Sequence, residues 1–438
     1  MQNSLTRKIN QKKTGISFPV DDFNKFRLQM LNWTNQFNIF CFLDNRNYNY
    51  SEPAFECLLA AGCKRSIEVN AGKAYEELQK FYEVNRSTWL FGHFGYDLKN
   101  ETEELNSGHE DHIGFSDLYF FEPEMVLQLN AKELIIFCDS GAEEIYSSII
   151  DQPLFAAGTI SKIPAIYNKI EKNIYINIIE KLRQHILRGD CYEINFCQEF
   201  FAEGTEIDPL YIYNQLANLS PNPFSVFYKV IDRYCLCASP ERYLKKTGDI
   251  LFSQPVKGTS KRNPANNTED ERSRDYLLQS PKEKSENVMV VDLVRNDLSR
   301  ICKAGSVKVD ELFGLYSFPQ VHQMISTVSG EIEDGFNWID CIRATFPMGS
   351  MTGAPKKRVM ELIEQYEQTR RGLFSGAIGY INPTGDFDFN VVIRSILYNE
   401  TSKYISFQTG SGITYYCNAT LEYEECMLKA AAMIKVLQ

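Results

Sequence analysis

The sequence predicts an α+β fold with largely antiparallel sheets. Three features predict it. Apolar runs of strand length come in groups; helical stretches fall between the groups; and the two do not alternate as strict β-α-β units. Short connections such as Pro383-Thr384-Gly385 and Asn399–Ser402 join neighbouring runs, as in an antiparallel meander.

The elements follow in order. Residues 1–18 read as a loose arm. Phe23 to Phe37 places apolar residues at helical spacing, and Asn38–Leu43 is a strand ending in the turn Asp44–Asn47. Tyr75–Tyr82 reads as a helix. Trp89–Tyr96 is aromatic with two glycines, a strand with a close backbone approach. Lys99–His112 is an acidic surface loop, followed by strands at Asp117–Glu124, Met125–Leu129 and Glu133–Cys138. The pattern loosens over 150–166, with Pro153 and Pro164, which divides the chain into 1–160 and 161–438. Tyr175, Ile178, Ile179, Leu182 and Ile186 share one helical face, stopped by Gly189. Strands follow at Tyr192–Phe200, Phe224–Ile231 and Tyr234–Ala238. Ser260–Asp275 is a long polar segment. Ser280-Pro281-Lys282-Glu283 starts a helix running to Arg300, with a Ser N-cap, Pro at the first helical position and Glu closing a capping box. A helix within Met351–Tyr366, strands at Leu373–Ile381, Phe387–Leu397 and Tyr404–Thr409, and a helix over Leu421–Leu437 complete the chain.

With 438 residues, 44% hydrophobic and 24% charged, the chain is long enough for a sizeable core and a deep pocket. A net charge of −11 without a basic run argues against nucleic acid or an anionic membrane as partner, but not against a small anionic substrate. No apolar run is long enough to span a bilayer. Twelve cysteines without a C-x-x-C pair, and a polar basic start without an apolar leader, read as reduced thiols in a cytoplasmic protein.

Chemistry concentrates in a few stretches. In Ser253-Gln254-Pro255-Val256-Lys257-Gly258-Thr259, Pro255 fixes its own φ and Gly258 permits a turn that other residues resist. Lys257 is then either a solvated loop lysine, the commoner case, or a lysine presented into a site. Glu283 and Glu286, and again Glu422 and Glu425, are three residues apart near helix starts, so each pair points one way. Facing each other, they would suit a hard divalent cation; alone, they complement the helix dipole. Ser350–Pro355 enters a basic helix from a small-residue loop, a weak anion site or an ordinary cap by Thr352. Gly410 and Gly412 follow the strand ending at Thr409, where backbone amides can converge on a carboxylate. Arg394 is a charge in an apolar run and needs a partner, either a protein or a ligand carboxylate. Glu241, after Ser239-Pro240, is a candidate general acid or a surface ion-pair partner, and His322 is a lone histidine, more often structural than catalytic.

Gly189-Asp-Cys-Tyr-Glu-Ile-Asn195, Ala238-Ser-Pro-Glu-Arg242, Gln254-Pro-Val-Lys-Gly-Thr259, Glu283-Lys-Ser-Glu-Asn287 and Val291-Asp-Leu-Val-Arg-Asn-Asp297 occur in this order. Thr352-Gly-Ala-Pro-Lys356, Ile393-Arg394, Gly410-Ser-Gly412 and Glu422/Glu425 with Lys429 follow. Over residues 165–438 this series resembles the chorismate-utilising enzyme family, and Trp89–Leu98 is loosely similar to the family's N-terminal region. The resemblance implies a large, mainly antiparallel two-sheet core with helices packed outside, like anthranilate synthase component I.

It also implies a reaction. The branch that makes aminodeoxychorismate reads Pro-Ile-Lys-Gly-Thr, close to Pro255-Val256-Lys257-Gly258-Thr259, where anthranilate-forming enzymes carry Ala for the lysine. Isochorismate-forming enzymes carry a lysine near Glu193, absent here. The implied activity is amination of chorismate to 4-amino-4-deoxychorismate, towards 4-aminobenzoate and folate. The alternatives are anthranilate formation, an isochorismate-type reaction or a non-catalytic homologue. The implied site has Mg2+ on Glu286 and Glu425, with Glu283 and Glu422 beside them. Arg394 and the amides of Gly410, Ser411 and Gly412 would hold a carboxylate, Glu241 would be the general acid, and Lys257 the nucleophile. His322, Thr352 and Lys429 match substrate-site positions. Burial or neighbouring charge would have to neutralise Lys257, whose ordinary pKa is ~10.4. Ammonia would come from solution or from a separate glutamine amidotransferase subunit, since no glutaminase signature is present. Two departures stand out. Glu193 occupies a position usually held by Gln, and Phe42-Leu43-Asp44-Asn45 replaces the Leu-Leu-Glu-Ser of tryptophan-inhibited members, so no tryptophan inhibition is expected.

Overall fold

The computed structural model describes residues 15–48, 55–154, 165–318 and 321–438. The arm up to residue 14 and much of the loosened stretch, Pro164 included, lie outside them. Two large sheets form the frame, one of twelve strands and one of ten, and the pairings around the site are all antiparallel. Both sheets draw strands from either side of residue 160, so the two chain segments are interleaved rather than side by side.

Strand alternation sorts the core. In Ile39–Asp44, Phe40 and Phe42 face the helices, while Cys41 faces the other sheet. Between the sheets lie Val226, Tyr228, Cys235 and Cys237 of one sheet against Phe91, Phe121, Ile378 and Tyr380 of the other. Helices Lys172–Leu187 and Ala419–Val436 cover the large sheet. Helices Ala74–Val84, Pro281–Ser299 and Trp338–Thr345 cover the smaller one. Each large apolar side chain so buried stabilises the fold by about 1.5–3 kcal/mol before entropy is counted. Ten of the twelve cysteines are buried among them, as small apolar side chains are.

Two of the chain's passages between the sheets lie at adjacent points. Arg233–Ser239 belongs to the large sheet and Arg242–Thr247 to the smaller one, so Pro240-Glu241 is the first of these two. Phe387–Asn390 and Ser395–Asn399 belong to the smaller and the large sheet, so Val391–Arg394 is the second. The expected single strand Phe387–Leu397 is therefore two strands, and Arg394 lies in the connection between them with φ of 51°. The crossings are stitched together: Val391 N–H donates to Glu241 O at 3.0 Å and Ala238 N–H to Arg394 O at 3.1 Å.

Three further expectations change. The polar segment after Lys261 holds a helix, Asn267–Gln279, capped by Asn266. The strand expected to stop at Thr409 continues to Ile413. Thr352 caps no helix: Gly353–Ala354 pair with Glu193 and Ile194, and the helix starts only at Lys356.

Candidate active site

The seam between the sheets carries the polar cluster. Strand Val256–Lys261 runs along Val321–Glu331, with a register shift between Val256 and Thr259. Lys257 and Gly258 form that bulge, and a bulge re-aims a side chain. Gly258 has φ of 93°, and a Cβ there would stand 3.1 Å from Glu283 Oε2, so only glycine lets this strand approach the glutamate helix so closely.

Lys257 Nζ donates to Glu193 Oε1 at 2.8 Å. A Cβ on Gly412 would lie 2.9 Å from Glu193 Oε1, 3.1 Å from Lys257 Nζ and 3.6 Å from Glu286 Oε2, so these groups meet over one glycine. Burial pulls the Lys257 pKa down, but Glu193, Glu286 and Glu241 outweigh it and leave it raised. Lys257 is thus an ammonium in this structure, opposite to the neutral amine that burial alone would favour.

The carboxylates behave differently from one another. Burial pushes Glu241 up to about 7, against the Ser350 hydroxyl and Lys257. Burial likewise pushes Glu286 up to about 7, with Glu193 and Glu283 adding and Lys257 and Lys282 opposing. Glu283 is raised by burial. Burial would raise Glu425 too, but Lys429, Lys282 and Lys257 carry it down to about 2. Lys429 Nζ lies 2.8 Å from Glu425 Oε1 and donates to Gly410 O at 2.9 Å.

The two glutamate pairs do face each other, but not as the capping-box alternative has it. Ser280 accepts from Glu283 N–H, yet the Ser280 N–H donates to Tyr276 O of the preceding helix. The Glu283 carboxylate is left for the site. Among the described residues, no three acidic, histidine or cysteine side chains close on one point as a metal ion would draw them. One point does gather three carboxylates: Lys282 Nζ is 3.0 Å from Glu422 Oε1, 3.7 Å from Glu286 Oε1 and 3.8 Å from Glu425 Oε2. Glu286 Oε1, Glu422 Oε2 and Glu193 Oε2 are buried without a hydrogen-bond partner. Hard oxygen donors with unused acceptor capacity on two facing helices fit magnesium, which needs only one or two carboxylates besides water and substrate oxygens.

Arg394 is pulled below the usual arginine value by burial, with Glu425 opposing. No described residue hydrogen-bonds or ion-pairs with its guanidinium. The remaining candidates stand differently. Ser411 alternates away from Gly410 and Gly412, towards Tyr175. The Thr352 hydroxyl donates to Met348 O at 3.2 Å, within its own turn. His322 is buried, with Nδ1 2.8 Å from Ser317 Oγ and Nε2 3.3 Å from Asp270 Oδ1, on the side of helix Asn267–Gln279. From the sequence, Lys282 and Ser350 stand out only as members of the helix start Ser280–Glu283 and the small-residue loop Ser350–Pro355, not as site residues. Lys282 could have been read as one, since a lysine four residues before Glu286 shares its helix face.

Comparison with known proteins adds a family. A profile described as chorismate binding enzyme matches residues 40–435. "Aminodeoxychorismate synthase component 1" of Bacillus subtilis (strain 168) is 38% identical over 260 residues, 59% of this chain and 54% of that protein. The match thus spans little more than half of that relative. "Anthranilate synthase component 1" of the same organism is 33% identical over 343 residues, 78% of this chain and 62% of that one. The crystal structure of anthranilate synthase component I from Streptococcus pneumoniae TIGR4 superposes with a TM-score of 0.75 at 27% identity, covering 89% of this chain and 94% of that chain.

Proposed function

The chain belongs to the chorismate binding enzyme family, and from that premise we propose that it is a chorismate-aminating member, an aminodeoxychorismate synthase component I. Chorismate and ammonia would give 4-amino-4-deoxychorismate and water, towards 4-aminobenzoate and folate. Lys257 carries the reading. Its side chain enters the carboxylate cluster, 2.8 Å from Glu193 and against Gly412. An alanine there would leave no nucleophile.

The steps use this chain's own residues. Lys257 gives its proton to Glu193, the acceptor in hydrogen-bond reach. The freed amine bonds to ring C2, both ring double bonds shift by one position, and the 4-hydroxyl leaves with a proton from Glu241 as water. Glu241 suits that role because burial keeps its carboxyl protonated up to about pH 7. Ammonia then bonds to C4 and the Lys257 amine departs from C2. Arg394, without a hydrogen-bond or ion-pair partner among the described residues, is available to a substrate carboxylate. Magnesium on Glu286 and Glu425, with Glu283 and Glu422 beside them, would supply charge that grips a carboxylate and polarises the ring for loss of the 4-hydroxyl. Ammonia would come from a separate glutamine amidotransferase subunit. A cytoplasmic setting goes with this reading: among the described residues no helix is long and apolar enough to cross a membrane.

Anthranilate formation is the second reading, favoured by the 33% identical relative. Purified chain with chorismate, magnesium and ammonium, analysed by mass spectrometry, separates the two. Aminodeoxychorismate supports the proposal; anthranilate with pyruvate refutes it.

A further inference from the structure

Lys282 stands where a cation is wanted. It opens the helix Pro281–Ser299, one residue before Glu283 and four before Glu286. Its ammonium bridges to the last helix, 3.0 Å from Glu422 Oε1 and 3.8 Å from Glu425 Oε2, with Glu286 Oε1 at 3.7 Å. Glu422 and Glu286 are only 1% and 7% exposed. Carboxylates this buried on facing helices repel unless a cation stands between them.

The way Lys282 fills the place is as informative as its presence. Only the Glu422 contact is a hydrogen bond; 3.7 and 3.8 Å are too long for one. Glu286 Oε1 and Glu422 Oε2 remain buried without a hydrogen-bond partner. Lys282 reaches all three carboxylates with one charge, Lys429 also lies 2.8 Å from Glu425 Oε1, and part of the acceptor capacity of Glu286 and Glu422 is still left unused. The Lys282 side chain is also 37% exposed on a flexible four-carbon stem, with water close by to receive it.

We propose that Lys282 is the resident counter-cation of this site, and that a divalent cation binds by displacing its ammonium from between the two glutamate helices. The proposal rests on the reading that a divalent cation binds at these glutamates. Lys282 then does two things. It holds the metal-free helices together, and it competes with the metal, so that the metal's affinity is weaker than the carboxylates alone would give. A lysine that instead braced the carboxylates for the metal would have the opposite effect on affinity.

The test needs neither chorismate nor turnover. Mn2+ and Mg2+ binding to the full chain is measured by titration calorimetry, with Mn2+ checked by electron paramagnetic resonance, for the parent, Lys282→Gln and Lys282→Arg. Lys282→Gln is expected to bind Mn2+ about 10-fold tighter or more, to melt lower than the parent in EDTA, and to recover on adding Mg2+. Lys282→Arg keeps the charge and adds a two-pronged donor, so it is expected to bind metal no tighter than the parent. It also carries the test if Lys282→Gln fails to fold in EDTA. Unchanged or weaker binding in Lys282→Gln, or tighter binding in Lys282→Arg, overturns the proposal alone. No saturable binding to any of the three overturns both the proposal and the metal assignment beneath it.

Discussion

Gly412 and Gly410 sit two residues apart on one strand, and adding a methyl group to each should fail in different ways. At Gly412 a Cβ would stand 2.9 Å from Glu193 Oε1 and 3.1 Å from Lys257 Nζ. Both are ends of side chains, so they can yield by a few tenths of an ångström, and Gly412→Ala should cost the fold about 1 kcal/mol or less, below the usual overpacking range. The pair it displaces is the proposed nucleophile and its base. A misplacement on the order of 1 Å at a reacting group costs about 10²-fold in rate, so a shift of a few tenths of an ångström should cost roughly 10-fold. At Gly410 a Cβ would stand 1.9 Å from Phe196 O and 2.7 Å from Cys197 Cα, both backbone atoms of the paired strand. These cannot yield without separating the strands, so Gly410→Ala should destabilise by ~3 kcal/mol or more. Thermal melting and kcat/KM for chorismate, measured side by side, check this. Gly412→Ala should melt near the parent and lose roughly 10-fold in activity, while Gly410→Ala should melt well below it. A Gly412→Ala variant with parental activity would refute the placement of the reacting centre at Glu193 and Lys257.

Three further outcomes follow from the same cluster. Glu241→Gln should lower kcat about 10²–10⁴-fold and flatten the fall of activity that the parent shows as pH rises through about 7. The sign for stability is fixed by the same shift. Glu241 titrates at about 7 when folded against 4.5 otherwise, so its protonated form contributes stability that is full below about pH 4.5 and lost as pH rises through about 7. Glu241→Gln should therefore be more stable than the parent at pH 8, by at most ~3 kcal/mol, and no more stable at pH 4; denaturant melts at the two values decide it. Arg394→Gln should raise KM for chorismate 10-fold or more while leaving the melting temperature unchanged or higher, since no described side chain pairs with the guanidinium; a drop in stability would mean that an internal partner had been lost. Lys257→Ala should abolish turnover and destabilise the fold by a few kcal/mol because Glu193 is left buried and alone, and adding Glu193→Gln should restore most of the stability but none of the activity. If the double variant melts no higher than Lys257→Ala, the buried pair is not what the single variant loses.

Much of this site can be read along the chain, because its motifs are local. The Ser280 cap, the glycine after Lys257 and the paired glutamates each declare themselves within a few residues. What stays hidden depends on contacts distant in sequence. The crossing at Val391–Arg394 is masked because the apolar run through Ile393 looks like unbroken strand, although its two halves pair with different sheets. Helix Asn267–Gln279 has little apolar stripe to show. Its start is held instead by Asn266 and by Asp270, whose carboxylate accepts from Arg262. The run Gly410–Ile413 looks like the end of a strand until its pairing with Ile194–Cys197 is known. The charge state of Lys257 is least legible of all. Burial alone argues for a neutral amine, and only the folded chain brings Glu193, Glu286 and Glu241 close enough to reverse it.

The central claim is that Lys257 bonds covalently to the substrate. Chorismate and magnesium supplied without ammonia, followed by an acid quench and peptide mass spectrometry, test it most directly. The peptide bearing Lys257 is expected to gain the mass of chorismate less one water, and added ammonium to remove this adduct as aminodeoxychorismate forms. Aminodeoxychorismate released with ammonium, but no adduct on Lys257 in its absence and full activity in Lys257→Ala, would contradict it.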